Sequence, residues 1–350
     1  MRLTNRFVAA TAVLVLAATS CGGDSKADEP KPTTTSTSTT EAATTTTEVP
    51  AAPVIAPLLG TEAPDASLAN RPALAVKVGN DKVAMPHAGI NRADIVIEIQ
   101  VEGISRLMSV FQSQDATEVG GTRSARYSDP DILAMFGRPL FGWSGANENV
   151  TARILSIPWV KNVHWNAVKD AYWRSKSKRD PYNLMTDTTK LYAHADADQA
   201  APQQLFQYLA AGEANPGELP MPAFALSVGT TPSRWAWDTA SSRWLRWQYG
   251  VPHATNEGQA WADNVVILQT QYGKGSVANS LGTGQAWVMS GGTVLLGTWT
   301  RADRTHPYTL TTLGGEPIKL RPGRTWIELP VQGPDPIDEQ TAAGMLNGVR

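Results

Sequence analysis

The chain has 350 residues, of which 42% are hydrophobic and 18% are charged, and its formal net charge is −2. This length suffices for two modest folded domains, and the slightly negative charge argues against nucleic acid as a partner. Cys21 is the single cysteine, so an internal disulfide is excluded. The five histidines are scattered and match no metal-binding motif, and we expect neither a metal site nor a cofactor.

The first 20 residues have the pattern of a secretory signal peptide. A short basic region precedes an apolar stretch at 7–18, which is too short for a comfortable membrane span. Cys21 ends the sequence Ala-Thr-Ser-Cys, which resembles a bacterial lipobox with Ala18 where leucine is common. We therefore predict a signal peptide at 1–20 and a lipid on Cys21, which would anchor the protein at the extracytoplasmic face of the cell membrane. An ordinary signal peptide with an incidental cysteine is the alternative.

Composition divides the rest of the chain. Residues 21–58 are rich in Thr and Pro and have no apolar face, which predicts a disordered linker. A Pro/Gly-rich stretch at 213–222 predicts a domain boundary. We expect a mixed α/β N-terminal domain at 59–212, a mainly antiparallel β-rich C-terminal domain at 221–332 and a loosely held tail at 333–350. The fold class is therefore predicted to be α+β.

The clearest strand signal begins at Ile95 and continues to Glu102. Its apolar positions alternate with Glu98, Gln100 and Glu102. This pattern predicts a strand with one face on a core and the other on water or a pocket. Gly103 predicts a reversal into a second strand.

Other elements follow in chain order. We predict a strand at 73–78, a short helix capped by Asp129 and closed by Gly137, and helices at 148–156 and 200–211. Beyond residue 222 the pattern is one of strands and hairpins, with a hairpin signature at Gly291-Gly292. Eight of the 12 tryptophans lie in this region, and we expect most of them to form its core.

Nine short motifs, each present once, are distributed over both predicted domains. They are Arg71-Pro-Ala-Leu-Ala-Val, Ala93-Asp-Ile-Val-x-Glu, Val101-Glu-Gly-Ile-Ser-Arg106, Phe111-Gln-Ser, Arg123-Ser-Ala-Arg126, Asn264-Val-Val, Gly282-x-Gly-Gln, Gly297-Thr-Trp and Leu320-x-Pro-Gly-x-Thr-Trp326. Jointly they resemble the YerB-like family of bacterial lipoproteins, which has two domains of unknown function. The resemblance implies an envelope location and no established activity. Tyr182 stands where the family pattern has histidine, which argues against histidine chemistry there.

Two arrangements suggest a catalytic site. Glu98 and Glu102 invite comparison with a glycosidase pair, but four residues of strand separate their Cα atoms by about 13 Å, whereas paired glycosidase carboxylates lie about 5–10 Å apart. An ion pair with Arg106 or Lys77 is the alternative. Ser144 lies in a Gly-Trp-Ser-Gly sequence that resembles an incomplete nucleophile elbow, and a glycine-rich turn is the alternative there.

Three arginines form a candidate ligand-binding group. Arg123 and Arg126 lie just before the helix predicted at Asp129, where two guanidinium groups would suit a carboxylate or phosphate. Arg106 follows the strand with Glu98 and Glu102, so it is expected near them. In the alternative interpretation, which we favour from sequence alone, these arginines pair with the acidic residues in a partly desolvated cleft.

The leading hypothesis is a lipid-anchored, non-catalytic binding or accessory protein for a cell-wall glycan or an envelope protein. The site is expected in a cleft between the region of Glu98 and Arg123 and the C-terminal domain. One alternative is a cell-wall hydrolase or transferase that uses Glu98 and Glu102 or Ser144. Another is a transporter's solute-binding lipoprotein, for which the second half lacks the alternating βαβ pattern.

The lipid anchor can be tested directly. Because Cys21 would carry the lipid, Cys21→Ala should release the protein from the membrane fraction into the medium. Fractionation and gel mobility measure this, and a variant that stays in the membrane with unchanged mobility would contradict the prediction.

Overall fold

The computed structural model describes residues 53–348. The predicted signal peptide, Cys21 and most of the predicted linker lie outside this range. Within it, no helix is both long and apolar enough to cross a membrane.

Helices are few and short. The α-helices are α1 (Ala66–Asn70), α2 (Asp129–Leu133), α3 (Glu148–Leu155), α4 (Thr188–Tyr192) and α5 (Glu339–Asn347). The 3-10 helices are Lys82–Ala84, Ile90–Arg92, Ala134–Phe136 and Lys169–Ala171.

Strands dominate the structure. The first eight are β1 (Leu74–Gly79), β2 (Ile95–Val101), β3 (Ile104–Phe111), β4 (Val119–Gly120), β5 (Leu140–Gly142), β6 (Lys161–Asn162), β7 (Tyr172–Arg174) and β8 (Leu184–Thr186). The next eight are β9 (Leu219–Pro220), β10 (Ala223–Val228), β11 (Thr231–Asp238), β12 (Arg243–Gln248), β13 (Val251–Pro252), β14 (Ala254–Thr255), β15 (Gly258–Gln259) and β16 (Trp261–Ala262). The last are β17 (Asn264–Leu268), β18 (Tyr272–Gly273), β19 (Val277–Ala278), β20 (Gly282–Ser290), β21 (Thr293–Arg301), β22 (Thr309–Thr312), β23 (Thr325–Glu328) and β24 (Asp335–Ile337).

An 11-stranded sheet joins the two halves of the described chain. Its order is β22-β21-β20-β17-β23-β2-β3-β1-β5-β6, with β9 beside β21. β23 comes from the end of the sequence but lies between β17 and β2, parallel to both. Strands from either side of the Pro/Gly-rich stretch at 213–222 therefore share one sheet, and the described residues form one compact unit.

Two further layers cover this main sheet. On one face pack α2 and α3, through residues such as Ile132 and Ile154, against Ile95 and Ile97 of β2. On the other face lies a six-stranded sheet of order β13-β12-β11-β10-β24, with β16 beside β12. Its inner side chains join the core formed by the opposite face of the main sheet, and Trp235 is among them. α5 covers part of the outer face of this second sheet.

Several predicted elements are confirmed. The fold class is α+β, with a mixed N-terminal part and mainly antiparallel sheets beyond it. The β2–β3 reversal places Glu102 and Gly103 at positive φ angles of 48° and 94°, which glycine tolerates at the second position. Gly291 and Gly292 connect β20 and β21 at φ angles of 63° and 80°. Most tryptophans of the second half are core, since Trp235, Trp244, Trp247, Trp299 and Trp326 are buried.

Other local predictions are wrong. Residues 200–211 form no helix; this segment is extended, and Leu209 and Gln207 exchange backbone hydrogen bonds with Leu320. The N-cap of α2 is Ser128 rather than Asp129. The side chain of Asp129 instead accepts from the backbone N–H of Arg126 and pairs with Lys77. Neither face of β2 is in water, because the helix layer covers one face and the second sheet covers the other. Part of the predicted tail forms β24 and α5.

The position of β23 predicts that the first half does not fold alone. A fragment of residues 53–212 lacks β23, so the buried edge of β2 would lose its partner and expose apolar surface. We expect this fragment to show no cooperative thermal transition by circular dichroism, whereas residues 53–348 should unfold in one transition. A cooperative transition in the short fragment would contradict this dependence.

Candidate functional site

Two neighbouring strands bring two glutamates side by side between the sheets. Glu98 of β2 and Glu328 of β23 are register partners, and both are fully buried. Arg246 of β12 reaches them from the second sheet. Its terminal nitrogen donates to Glu98 Oε2 at 2.5 Å, and its Nε lies 3.8 Å from Glu328 Oε1. Three buried ionisable side chains thus meet between the two sheets.

The single guanidinium group of Arg246 faces the carboxyl groups of both Glu98 and Glu328, and this arrangement affects the pKa of Glu328. Burial raises the pKa of Glu328 well above its usual value, and the neighbouring Glu98 raises it further. A proton retained on Glu328 leaves one carboxylate charge in the pair to balance that of Arg246. Trp235 Nε1 donates to Glu328 Oε1 at 3.1 Å, while Glu98 Oε1 accepts hydrogen bonds from Asn80 and Ser105.

Two buried histidines continue the network in one direction. A guanidinium group can only donate, so the 2.6 Å contact between Arg246 and His253 Nδ1 requires that Nδ1 accepts. His253 Nε2 then donates to His87 Nδ1 at 2.7 Å, and His87 Nε2 donates to the Gly79 carbonyl at 2.6 Å. Both rings are neutral in this arrangement. Burial lowers the pKa of His87 to about 4 and that of His253 well below its usual value.

This buried glutamate network, defined as Glu98, Glu328, Arg246, His253 and His87, is closed to solvent. The cleft expected beside Glu98 is therefore filled, because Arg246 of the second sheet occupies it. Glu98 and Glu102 are not brought together: Glu98 faces Arg246 inside, whereas the side chain of Glu102 is 67% exposed in the β2–β3 turn. Neither Arg106 nor Lys77 pairs with Glu98; the partner is Arg246.

The three predicted arginines do come together, at the ends of β1 and β3. We call Arg106, Arg123 and Arg126 the arginine site. Arg106 lies on β3 and donates to the Ser124 carbonyl at 2.6 Å. The backbone of Arg123 is held by Lys77 of β1, and Arg126 follows three residues later, before α2. Arg106 is therefore positioned by β3, and Arg123 and Arg126 by the single loop between β4 and α2.

Positive charge exceeds negative charge around this site. Lys77 forms a fully buried pair with Asp129 at 2.7 Å. Burial lowers the pKa of Arg106 to about 10, and Arg126 and Arg123 lower it further by repulsion. The same repulsion by Arg106 and Arg126 adds to the burial that lowers the pKa of Lys77. The nearby carboxylates are those of Asp129, Glu102 and Asp81, three against four cations.

The arginine side chains are incompletely paired. Arg126 bonds the Ala125 carbonyl and, at 3.0 Å, Glu102. Arg123 bonds the Pro181 carbonyl at 3.3 Å and lies over the Tyr182 ring, 4.8 Å from its centroid. The Nε atoms of both are buried and have no hydrogen-bond partner within residues 53–348. Arg246 Nε is unpaired in the same way, so what distinguishes Arg123 and Arg126 is that both are only half-buried and have weak partners.

Ser144 lies beside the arginine site. Its backbone N–H donates to the Arg123 carbonyl at 3.0 Å, and the next carbonyl, of Gly145, accepts from Ala125. No histidine or carboxylate hydrogen-bonds the Ser144 hydroxyl in the described chain, so a nucleophile–base pair is not assembled there. Across the same residues no three His, Cys, Asp or Glu side chains converge as metal ligands.

Comparison with known proteins identifies the family. One family model, the N-terminal domain of a protein of unknown function (DUF3048), matches residues 58–201, and the model of its C-terminal domain matches residues 223–327. Together they span more than half of the chain. This chain belongs to the DUF3048 family.

Two comparisons connect this DUF3048 protein to YerB. A curated relative named "Putative lipoprotein YerB", from Bacillus subtilis (strain 168), is 33% identical over 135 residues, 37% of this chain and 39% of the relative's length. The crystal structure of the YerB protein from Bacillus subtilis matches with a TM-score of 0.68 at 21% identity, over 80% of this chain and 97% of that one. The resemblance to a two-domain YerB-like family is confirmed, and the structural match supports the fold.

Sequence reasoning missed the buried glutamate network apart from Glu98. One signal was available: Trp244, Arg246 and Gln248 share a face of β12, so an arginine is in phase with an inward tryptophan. Nothing local indicated Glu328 as a neighbour of Glu98, because β23 joins β2 from the far end of the chain.

The neutral histidines predict a pH dependence of stability. His87 has a folded pKa of about 4, below its usual 6.5, so the unfolded chain binds the proton more readily. Its contribution is complete above pH 6.5 and is lost as the pH falls towards 4, by about 3 kcal/mol. Gln keeps a donor and an acceptor but does not titrate, so wild type should lose its advantage over His87→Gln across this range. Denaturant unfolding measures this.

A matched control is His194→Gln, because His194 is only half-buried, 4.0 Å from Asp170. The difference in unfolding free energy between wild type and this control should change much less with pH. If the two variants show equal pH dependence, the neutral, hydrogen-bonded assignment of His87 is wrong.

Proposed function

We propose that this protein is a lipid-anchored envelope protein on the extracytoplasmic side of the membrane, which binds an anionic ligand at the arginine site without catalysing a reaction. The anchor is supported by the lipobox-like sequence before Cys21 and by the name of the YerB relative. The ligand would carry phosphate or carboxylate, as components of the cell wall and other envelope molecules do.

One observation carries the binding proposal: four cations face three carboxylates around the arginine site, and Arg123 and Arg126 are half-buried with weak partners. Guanidinium groups bind carboxylate and phosphate through two parallel hydrogen bonds, one of them often from Nε. A ligand of this chemistry would neutralise the excess charge.

Glu102 would be displaced by the ligand. Its side chain is 67% exposed and that of Arg126 only 18%, so the pair is a surface ion pair worth about 0–1 kcal/mol. The exposed Glu102 can move into water when an anion arrives, which frees a terminal nitrogen of Arg126. Because the pair is weak, the desolvated pairing favoured from sequence is not proposed for Arg126.

The chemistry of the weaker candidates does not favour catalysis. Glu98 is held by Arg246, Asn80 and Ser105, and a general acid needs access to the substrate. Ser144 has no base beside it in the part of the chain described. We therefore do not propose the hydrolase or transferase alternative.

The binding proposal predicts opposite effects of two substitutions. Arg126→Gln should weaken binding of inorganic phosphate and acetate at least tenfold, because a charged donor is lost. Glu102→Gln should tighten it, because the competing carboxylate is removed. Titration followed by nuclear magnetic resonance at low ionic strength measures both, since salt screens such contacts.

Arg138→Gln is the matched control, because Arg138 forms a comparable surface pair with Asp198 away from the three arginines. It should leave binding unchanged, and Arg126→Gln should keep its unfolding free energy within about 1 kcal/mol of wild type. Equal phosphate affinity in the Arg126 and Arg138 variants would overturn the arginine site as the binding site.

A further inference from the structure

A groove of about 500 Å³ lies next to the arginine site. One wall is the segment 83–86, which follows β1, and the other is the segment 177–182, which precedes β8. Residues of the two walls include Val83, Met85, Pro86, Lys178, Arg179 and Tyr182. The volume lies within the range of about 300–1,000 Å³ that small-molecule sites occupy.

Lys178 fixes the two walls relative to each other. Its Nζ donates to the Ala84 carbonyl at 2.8 Å and to the Pro86 carbonyl at 2.6 Å. Partial burial lowers the pKa of Lys178, as expected for an ammonium group that has exchanged water for carbonyl oxygens. The groove is therefore already formed before any ligand binds.

One wall of the groove presents apolar side chains to solvent. Val83 is 69% exposed, and the side chains of Met85 and Pro86 line the same groove. A single exposed valine needs no explanation, but several adjacent apolar groups in a concave, preformed surface indicate an apolar ligand moiety.

Tyr182 belongs to both the groove and the arginine site. It lines the groove, and the guanidinium of Arg123 lies 4.8 Å from its ring centroid. Burial and the carboxylate of Asp81, which accepts its hydroxyl hydrogen bond, raise the pKa of Tyr182 to about 12, while Arg123 and Arg106 oppose this. The positive end of the combined surface therefore begins where the apolar wall ends.

The charged residues at the rim of the groove also favour an anionic ligand. Arg179 is exposed and forms no ion pair within the described residues, whereas Asp180 is paired with Arg174 at 2.5 Å. Cationic groups thus remain available around the groove, and one of its carboxylates is already neutralised.

We propose that the groove and the arginine site form one composite site for an anionic amphiphile. Its phosphate or carboxylate head would bind Arg123 and Arg126, and a single apolar chain would lie along Val83, Met85 and Pro86. This inference rests on the proposed function, because it uses the arginine site for the head group and adds the chemical class of the ligand.

A series of soluble alkyl phosphates tests the proposal. Methyl, butyl and hexyl phosphate keep the head group and lengthen the chain, and each buried methylene should tighten binding by up to about fourfold. Val83→Ser should reduce this dependence on chain length and leave methyl phosphate binding unchanged. Arg126→Gln should weaken all three ligands by a similar factor.

Leu313→Ser is the matched control, because Leu313 is also an exposed apolar residue, 76% accessible, on another part of the surface. It should behave as wild type. A chain-length dependence that is absent, or that Val83→Ser leaves intact, would overturn the amphiphile while Arg126-dependent phosphate binding would still support the arginine site. If no phosphate binds, both proposals fail.

Vesicles distinguish the source of the amphiphile. The described body, residues 53–348, would be sedimented with phosphatidylcholine vesicles with and without phosphatidic acid. Cosedimentation that needs phosphatidic acid and is reduced by Val83→Ser supports a membrane lipid. Hexyl phosphate binding without cosedimentation supports a soluble amphiphile of the same chemistry.

Discussion

Arg246 holds the two sheets of this protein together from inside. Its charge faces Glu98 of β2 and Glu328 of β23 at a place where no water reaches, and removal of one partner from such a buried pair costs about 3–5 kcal/mol. Two features around it limit the conflict between charges: burial and Glu98 raise the pKa of Glu328 well above its usual value, and His253 Nδ1 accepts rather than donates. Strand order, protonation and tautomer therefore depend on one guanidinium group.

This centre decides where chemistry with other molecules can occur. The two glutamates of the predicted strand have different environments. Glu98 is buried between the sheets, and Glu102 is exposed in the turn that follows β2. The same hairpin returns as β3, where Arg106 stands opposite Ile99 and reaches the loop that carries Arg123 and Arg126. Glu98 and Arg106 thus occupy neighbouring positions of one strand pair on opposite faces of the sheet, and a substitution at the exposed turn can change binding without disturbing the core.

Sequence reasoning succeeds here for local features and fails for long-range ones. Positive φ angles at Gly103 and Gly292 follow from turn chemistry that is encoded within four residues, so both hairpins could be predicted. The placement of β23 beside β2 depends on a pairing between distant parts of the chain, and no local pattern encodes it. Residues 200–211 show the converse error: their helical apolar spacing is overridden by backbone pairing with Leu320. The three arginines could be predicted because they flank recognisable elements, whereas the contact of Arg123 with Tyr182 depends on the fold.

The arginine site and the buried glutamate network treat positive charge in different ways. Arg246 is fully buried and donates to Glu98, Gln248 and His253, so no ligand can reach it even though its Nε has no hydrogen-bond partner among the described residues. Arg126 has one carboxylate partner, and that partner is exposed. A half-buried guanidinium with weak, replaceable partners beside a second cation gains more from an incoming anion than one that is closed to solvent and already bonds a buried carboxylate. The contrast between these arginines, rather than their number, is what distinguishes a binding site from a structural support in this fold.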